Sequence, residues 1–132
     1  MLDHVGFPVA DFARSRAFYS AALAPLGIGV LMEVTAEETG GAAHAGFGSG
    51  GKPFFWIGSG NALSAGDGGR LHVCFTAPDR ATVEGFYRAA MAAGARDNGP
   101  PGLRPHYHPN YYGAFVLDPD GHNIEAVCHK PE

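Results

Sequence analysis

The chain has 132 residues, a formal net charge of −4 and 17% charged residues, a size that suits one compact domain with a real core, here residues 1–132. No Lys/Arg cluster is available to neutralise phosphates, no apolar stretch reaches the length of a membrane span, and Met1-Leu2-Asp3-His4 lacks the basic-then-apolar pattern of a leader. These features argue against nucleic-acid and membrane partners and lead us to expect a cytoplasmic protein whose two cysteines, Cys74 and Cys128, are free thiols.

Leu2 to Val9 alternates as a strand does, with Val5 and Phe7 on one face and His4 and Gly6 on the other. Asp11 is a good helix N-cap, and Phe12, Phe18, Tyr19, Ala22 and Leu23 form a helical stripe that Pro25 and Gly27 end. Ile28 to Val34, Ala43 to Gly48 and Phe54 to Ile57 read as shorter extended pieces. The plan then recurs: His72 to Thr76 as strand, Asp79 as N-cap, and Val83, Phe86, Tyr87, Ala90 and Met91 as stripe, with Gly94 as stop. Arg96 to Asn110, with Pro100, Pro101, Pro105 and Pro109, reads as a long irregular loop of the kind that is often functional. Tyr111 to Leu117 and Asn123 to Val127 read as strands joined by the turn Asp118-Pro119-Asp120-Gly121.

The recurrence is also literal. His4-Val5-Gly6-Phe7 returns as His72-Val73-Cys74-Phe75 at a spacing of 68, and 10 of the 21 positions from His4 to Ala24 are identical without a gap. A duplicated unit places equivalent residues around one pseudo-twofold axis. The two strand–helix–strand–strand–strand modules fall at about residues 1–60 and 70–130.

His4 and His72 point opposite to the core-facing Val and Phe of their strands, and Glu125 faces the same way on the last strand, between Ile124 and Ala126. Two imidazoles and a carboxylate suit a divalent metal with open coordination positions. Each alone reads more simply as a strand residue or a solvated charge; their symmetric placement favours the metal.

The motifs Leu2-Asp3-His4-Val5, Phe18-Tyr19, His72-Val73 and Tyr111 through Asp118-Pro119-Asp120-Gly121-His122-Asn123-Ile124-Glu125 make the chain similar to the vicinal oxygen chelate superfamily. That superfamily contains glyoxalase I, extradiol dioxygenases, and fosfomycin- and bleomycin-resistance proteins. The resemblance implies an α+β fold of two βαβββ modules forming a curved, incompletely closed eight-stranded mixed sheet, commonly completed in a homodimer. It also implies metal ligation by His4, His72 and Glu125, with Zn, Mn, Ni or Fe as the ion. Aligning Phe47 with Phe115 and Gly51 with Gly121 sets Phe55 opposite Glu125, so the fourth ligand of glyoxalase I has no counterpart.

Further polar residues crowd the Pro-rich segment. His108 and Tyr111 are candidates for proton transfer or oxyanion binding, and Arg104, Trp56, Phe55 and Tyr112 for substrate contact. His122 and His129 read as solvated, Cys74 as a buried inert thiol, and His44 as a residue whose strand register leaves its direction open. The expected function is a metal-dependent enzyme acting on a small oxygen-bearing substrate, of lyase, isomerase, thiol-transferase or dioxygenase type. The alternative is a metal-free protein that sequesters a small ligand, as bleomycin-resistance proteins do.

Overall fold

The computed structural model describes residues 1–60 and 70–132. The element order is β1 (Val5–Pro8), α1 (Phe12–Leu23), β2 (Gly29–Val34), α2 (Ala36–Thr39), β3 (His44–Ser49), β4 (Lys52–Gly58), β5 (His72–Thr76), α3 (Arg80–Ala92), β6 (Arg96–Asp97), β7 (Gly102–Leu103), β8 (Tyr112–Leu117) and β9 (Asn123–Cys128). Asp11 and Asp79 open the long helices as expected, accepting from the amides of Arg14 at 3.1 Å and Thr82 at 2.7 Å. Each satisfies a donor that the first helical turn leaves without a partner.

The strands form two mixed sheets that do not close into a barrel, in the orders β1-β4-β3-β2 and β5-β9-β8-β6, with β7 also on β8. In each half the first strand runs parallel to the last, β1 to β4 and β5 to β9. The α+β repeat read from the sequence is therefore present. Among the described residues β1 and β5 are edge strands with no ladder between them, which is where the incompletely closed surface stays open. One detail differs from the expectation: the Pro-rich segment is not wholly irregular, since β6 and β7 pair with β8 as a broken counterpart of β2. Pro100 and Pro101 fall at the break; proline cannot donate to a ladder and is tolerated at such an edge.

Helices α1 and α3 pack against each other and against the inner faces of both sheets. Phe18, Tyr19, Phe47, Phe55, Phe75, Phe86 and Ile124 share one core cluster there, with the Phe55 and Phe75 rings 5.4 Å apart across the two halves. No helix among the described residues is long and apolar enough to cross a membrane.

The β8–β9 turn straps the halves together. Gly121 adopts φ +87°, open to glycine at little steric cost, and its amide donates to the Asp118 carbonyl at 2.9 Å. The buried Asp118 carboxylate accepts from the amides of Asp120 and His122 at 2.9 and 2.8 Å, and from the Tyr19 hydroxyl on α1. Burial, then the Asp118 charge, raises the Tyr19 phenol well above its ordinary range. His122, expected in solvent, is only 7% exposed. Its Nδ1 accepts from the Leu71 amide at 3.0 Å and its ring packs on Phe7 at 4.7 Å between centroids.

Register decides which residues of the two halves correspond. Val5 pairs with Phe55 and Gly6 with Trp56, whereas Val73 pairs with Ile124 and Cys74 with Glu125. Trp56, not Phe55, is therefore the counterpart of Glu125. The alignment through Phe47 and Phe115 slipped by one, because Phe47 is buried in the core while Phe115 lies on the other face of its strand, opposite Glu125. A slip of one residue moves every side chain of a strand to the opposite face.

Candidate active site

The sheet faces turned away from the helices carry the polar residues. Glu125 is 1% exposed and lies between two partners. His72 Nε2 is 2.9 Å from Glu125 Oε2, and the Tyr111 hydroxyl donates to Oε1. Gly113 on β8 makes room for this contact: a Cβ there would lie 3.1 Å from Tyr111 Cε1 and 3.3 Å from Glu125 Oε1. Tyr111 is held at the start of β8 by backbone bonds of its carbonyl to the Arg104 amide (2.7 Å) and of its amide to the His108 carbonyl (3.1 Å). Burial first, and then the hydrogen bond to Glu125, raises the Tyr111 phenol above its ordinary range, so it is a donor at neutral pH. His72, Tyr107, Tyr111, Phe115 and Glu125 line a cavity of about 310 Å³.

A second cavity, of about 430 Å³, fills the cleft between β1 and β5 and is lined by His4, Phe54, Phe55, His72 and Cys74 among others. Cys74 is exposed, not buried as expected, because β5 is an edge strand. Its sulfur nonetheless lies against the Glu125 side of the cleft, where desolvation, and then the Glu125 charge, pushes the thiol up to about 12. That thiol is a weak nucleophile at neutral pH.

The structure places the sequence candidates unevenly. It brings together His72, Glu125 and Tyr111. His4 sits across the cleft with its Nδ1 2.7 Å from Asp3 Oδ1, to which Lys52 Nζ also bonds at 2.9 Å. The His4 bond first, then Lys52, holds the exposed Asp3 carboxyl below its ordinary range. Among the described residues no three His, Cys, Asp or Glu side chains are grouped as a metal-holding cluster. His108 lies away from Glu125: its Nδ1 accepts from the Asn110 amide at 3.0 Å and its ring stands 5.7 Å from that of His129. Arg104 donates to the carbonyls of Gly102 and Pro100, both at 2.8 Å, and its guanidinium covers the Phe115 ring at 5.4 Å. Tyr112 lies on the helix side, bonded to Glu84 at 3.1 Å with Arg80 over its ring. Phe55 is a core residue at the floor of the cleft, and Trp56 and His44 lie on the outer face of the first sheet.

Two residues of the site escaped the sequence reading: Phe115, which walls the Glu125 cavity, and Gly113, which clears its floor. Tyr107, the other wall, reads in the sequence only as one of three tyrosines in the segment 107–112 beside the mouth, with no role of its own. Nothing in the sequence separated Gly113 from the other glycines.

The sequence pattern of the Glyoxalase/Bleomycin resistance protein/Dioxygenase superfamily matches residues 1–126. A search of curated proteins finds no match. Among solved structures, a glyoxalase/bleomycin resistance protein from Albidiferax ferrireducens T118 is similar at 29% identity and a TM-score of 0.74, over 98% of this chain and 99% of that one. A glyoxylase/bleomycin resistance protein/dioxygenase domain from Frankia sp. EAN1pec is similar in fold at 17% identity and a TM-score of 0.72, over 98% of both chains. An E144Q glyoxalase I mutant from Zea mays is similar in fold at 21% identity and a TM-score of 0.71, over 96% of this chain but 46% of its own length. With duplicated modules, parallel first and last strands and a polar outer face, the chain belongs to the Glyoxalase/Bleomycin resistance protein/Dioxygenase superfamily.

Proposed function

We propose that the protein is a divalent-metal-dependent enzyme acting on a small oxygen-bearing substrate, with Glu125 at the centre of its reaction site. The observation that carries this reading is a carboxyl group 1% exposed whose only charged-type partner among the described residues is His72. Burying a carboxylate without a cation is costly, so such a group is normally paired or coordinates a metal. The donor types suit a divalent ion, and although the three side chains are not gathered in one cluster in this structure, His72 touches Glu125 and His4 lines the same cleft as His72. In this reading His4, His72 and Glu125 hold the ion, whose identity (Zn, Mn, Ni or Fe) the ligand types leave open. When bound, the ion supplies Lewis-acid polarisation of substrate oxygens.

The chain's own residues do the rest. Tyr111, a phenol kept protonated beside Glu125, donates a hydrogen bond to an oxygen that gains negative charge. His72 and Glu125, 2.9 Å apart, fix one another's orientation as the two ligands from the second half. Tyr107 and Phe115 give a bound substrate aromatic surface beside Glu125 in the 310 Å³ cavity. The reaction belongs in this reading to the lyase, isomerase, thiol-transferase or dioxygenase type, carried out by a cytoplasmic homodimer.

Elemental analysis of untagged protein tests this. About one divalent ion per chain is expected in the wild type and none in the His4→Ala/His72→Ala/Glu125→Ala variant. Glu125→Gln keeps the shape, removes the charge, and should weaken metal retention roughly 10-fold or more. Equal metal in all three proteins would overturn the reading. It would leave the metal-free binding protein as the better account, which the His4–Asp3 contact and the apolar Trp56 at the fourth position already support.

A further inference from the structure

The outer face of the first sheet is built around glycine. Gly46 on β3 pairs with Trp56 on β4, and His44 on β3 pairs with Gly58 on β4. A Cβ on Gly46 would lie 2.8 Å from the indole Cη2 and Cζ2, and one on Gly58 would lie 2.6 Å from His44 Nδ1. Each ring therefore lies against the glycine of the opposite strand. On β1 a Cβ at Gly6 would meet the Trp56 Cβ at 2.9 Å, so the neighbouring strand also lies close to the base of this side chain. Gly46 and Gly58 are buried, while Trp56 and His44 are half-buried. The two rings border a cavity of about 310 Å³ lined by Gly6, Pro8, Gly58 and Ser59 beside them, with no Lys, Arg, Asp or Glu among the described lining residues.

We propose that this face is a stacking subsite for a planar ring without negative charge, seated on Trp56 beside His44. The taking of that ring as part of the substrate rests on the reading above; the subsite itself does not. Aromatic rings attract one another in stacked and edge-on arrangements beyond their area burial, an attraction that a saturated ring of equal bulk lacks. A cationic ring gains further from the indole face. An anionic ring finds no fixed cation among the described lining residues. The volume sits at the low end of ligand pockets, about 300 Å³, which suits a group of one or two rings and not an extended ligand.

Trp56 is the single tryptophan of the chain, so the indole N–H gives one cross-peak in a nitrogen–proton correlation spectrum. The full chain is titrated with 2-naphthol, with its saturated analogue decahydro-2-naphthol, and with 2-naphthoate. Saturable movement of the indole signal by 2-naphthol is expected, with the other two probes binding about 10-fold more weakly. With the Gly58 amide as reporter, Trp56→Phe should keep most of the affinity and Trp56→Leu should lose about 10-fold. Equal binding of the planar and saturated alcohols would overturn the proposal, leaving a plain apolar hollow, and equal binding of the naphthoate would overturn its charge preference. An indole signal that moves on dilution of the protein and ignores all probes would also overturn it, showing that a second copy covers the face. The titration reads neither metal nor turnover, so its failure and that of the metal reading are separately visible.

Discussion

In the first sheet the outer-face position beside the first strand holds Trp56, lying on Gly46; in the second sheet the same position holds Glu125, bonded to His72 and Tyr111 above Gly113. The two halves share strand order, capped helices and a common core, yet one outer face is aromatic and uncharged and the other is acidic and rich in exchangeable protons. Duplication doubles the scaffold; it does not oblige both copies to keep the same chemistry. In our reading the second half supplies most of the reacting groups, with His4 joining them across the cleft, and the outer face of the first half binds.

The sharpest way to break that division is kinetic. Once a substrate is found, Glu125→Gln and Tyr111→Phe should each lower kcat about 100- to 10,000-fold, the usual contribution of a positioned acid or base. Trp56→Phe and Trp56→Leu should act chiefly on KM. Loss of kcat in the Trp56 variants equal to that in Tyr111→Phe would erase the distinction.

Cys74, the residue opposite Glu125, gives a second contrast. Its thiol is pushed from an ordinary 9.0 up to about 12. In chelator-treated, metal-free protein at pH 8 its thiolate fraction, and hence its alkylation by iodoacetamide, should be about 100- to 1,000-fold below that of an unshifted thiol, despite its exposure. The rate should keep rising with pH beyond 9. Because the Glu125 charge raises the thiol, Glu125→Gln should speed alkylation at fixed pH, which peptide mapping by mass spectrometry would show. An unshifted pH profile in the wild type would place the sulfur outside the Glu125 environment.

The glycine floors come next in size. Gly46→Ala meets the indole at 2.8 Å and should destabilise by about 1–3 kcal/mol. Gly113→Ala meets Tyr111 at 3.1 Å, so a smaller loss of stability should accompany a marked loss of activity as Tyr111 is moved off Glu125. Thermal unfolding and turnover measured together separate the two.

The smallest effects compare the Phe-Tyr helices. Tyr19 bonds to the buried Asp118, whereas its repeat partner Tyr87 bonds to Asp97 in solvent at 3.0 Å. Tyr19→Phe should cost about 1–3 kcal/mol, and Tyr87→Phe within about 0.5 kcal/mol. Equal losses in chemical denaturation would mean that the turn at Asp118 does not strap the halves.

The sequence alone was sufficient for the duplication, the two Asp-capped helices, the Asp118–Gly121 turn and the outward direction of His72 and Glu125. These features rest on local rules, namely helix caps, turn chemistry and alternation along a strand, which a short stretch of residues states completely. Tertiary structure decided the rest. Whether Phe55 or Trp56 answers to Glu125 depends on pairing with β1, a contact about 50 residues away in the chain. The burial of His122, the exposure of Cys74 and the turning of Tyr112 toward α3 depend on which strands are edges and which loop meets which helix. Tyr111 reaches Glu125 and His108 does not, because side-chain reach is set by the closed backbone of 104–111 and by the missing Cβ of Gly113, neither of which composition or spacing records.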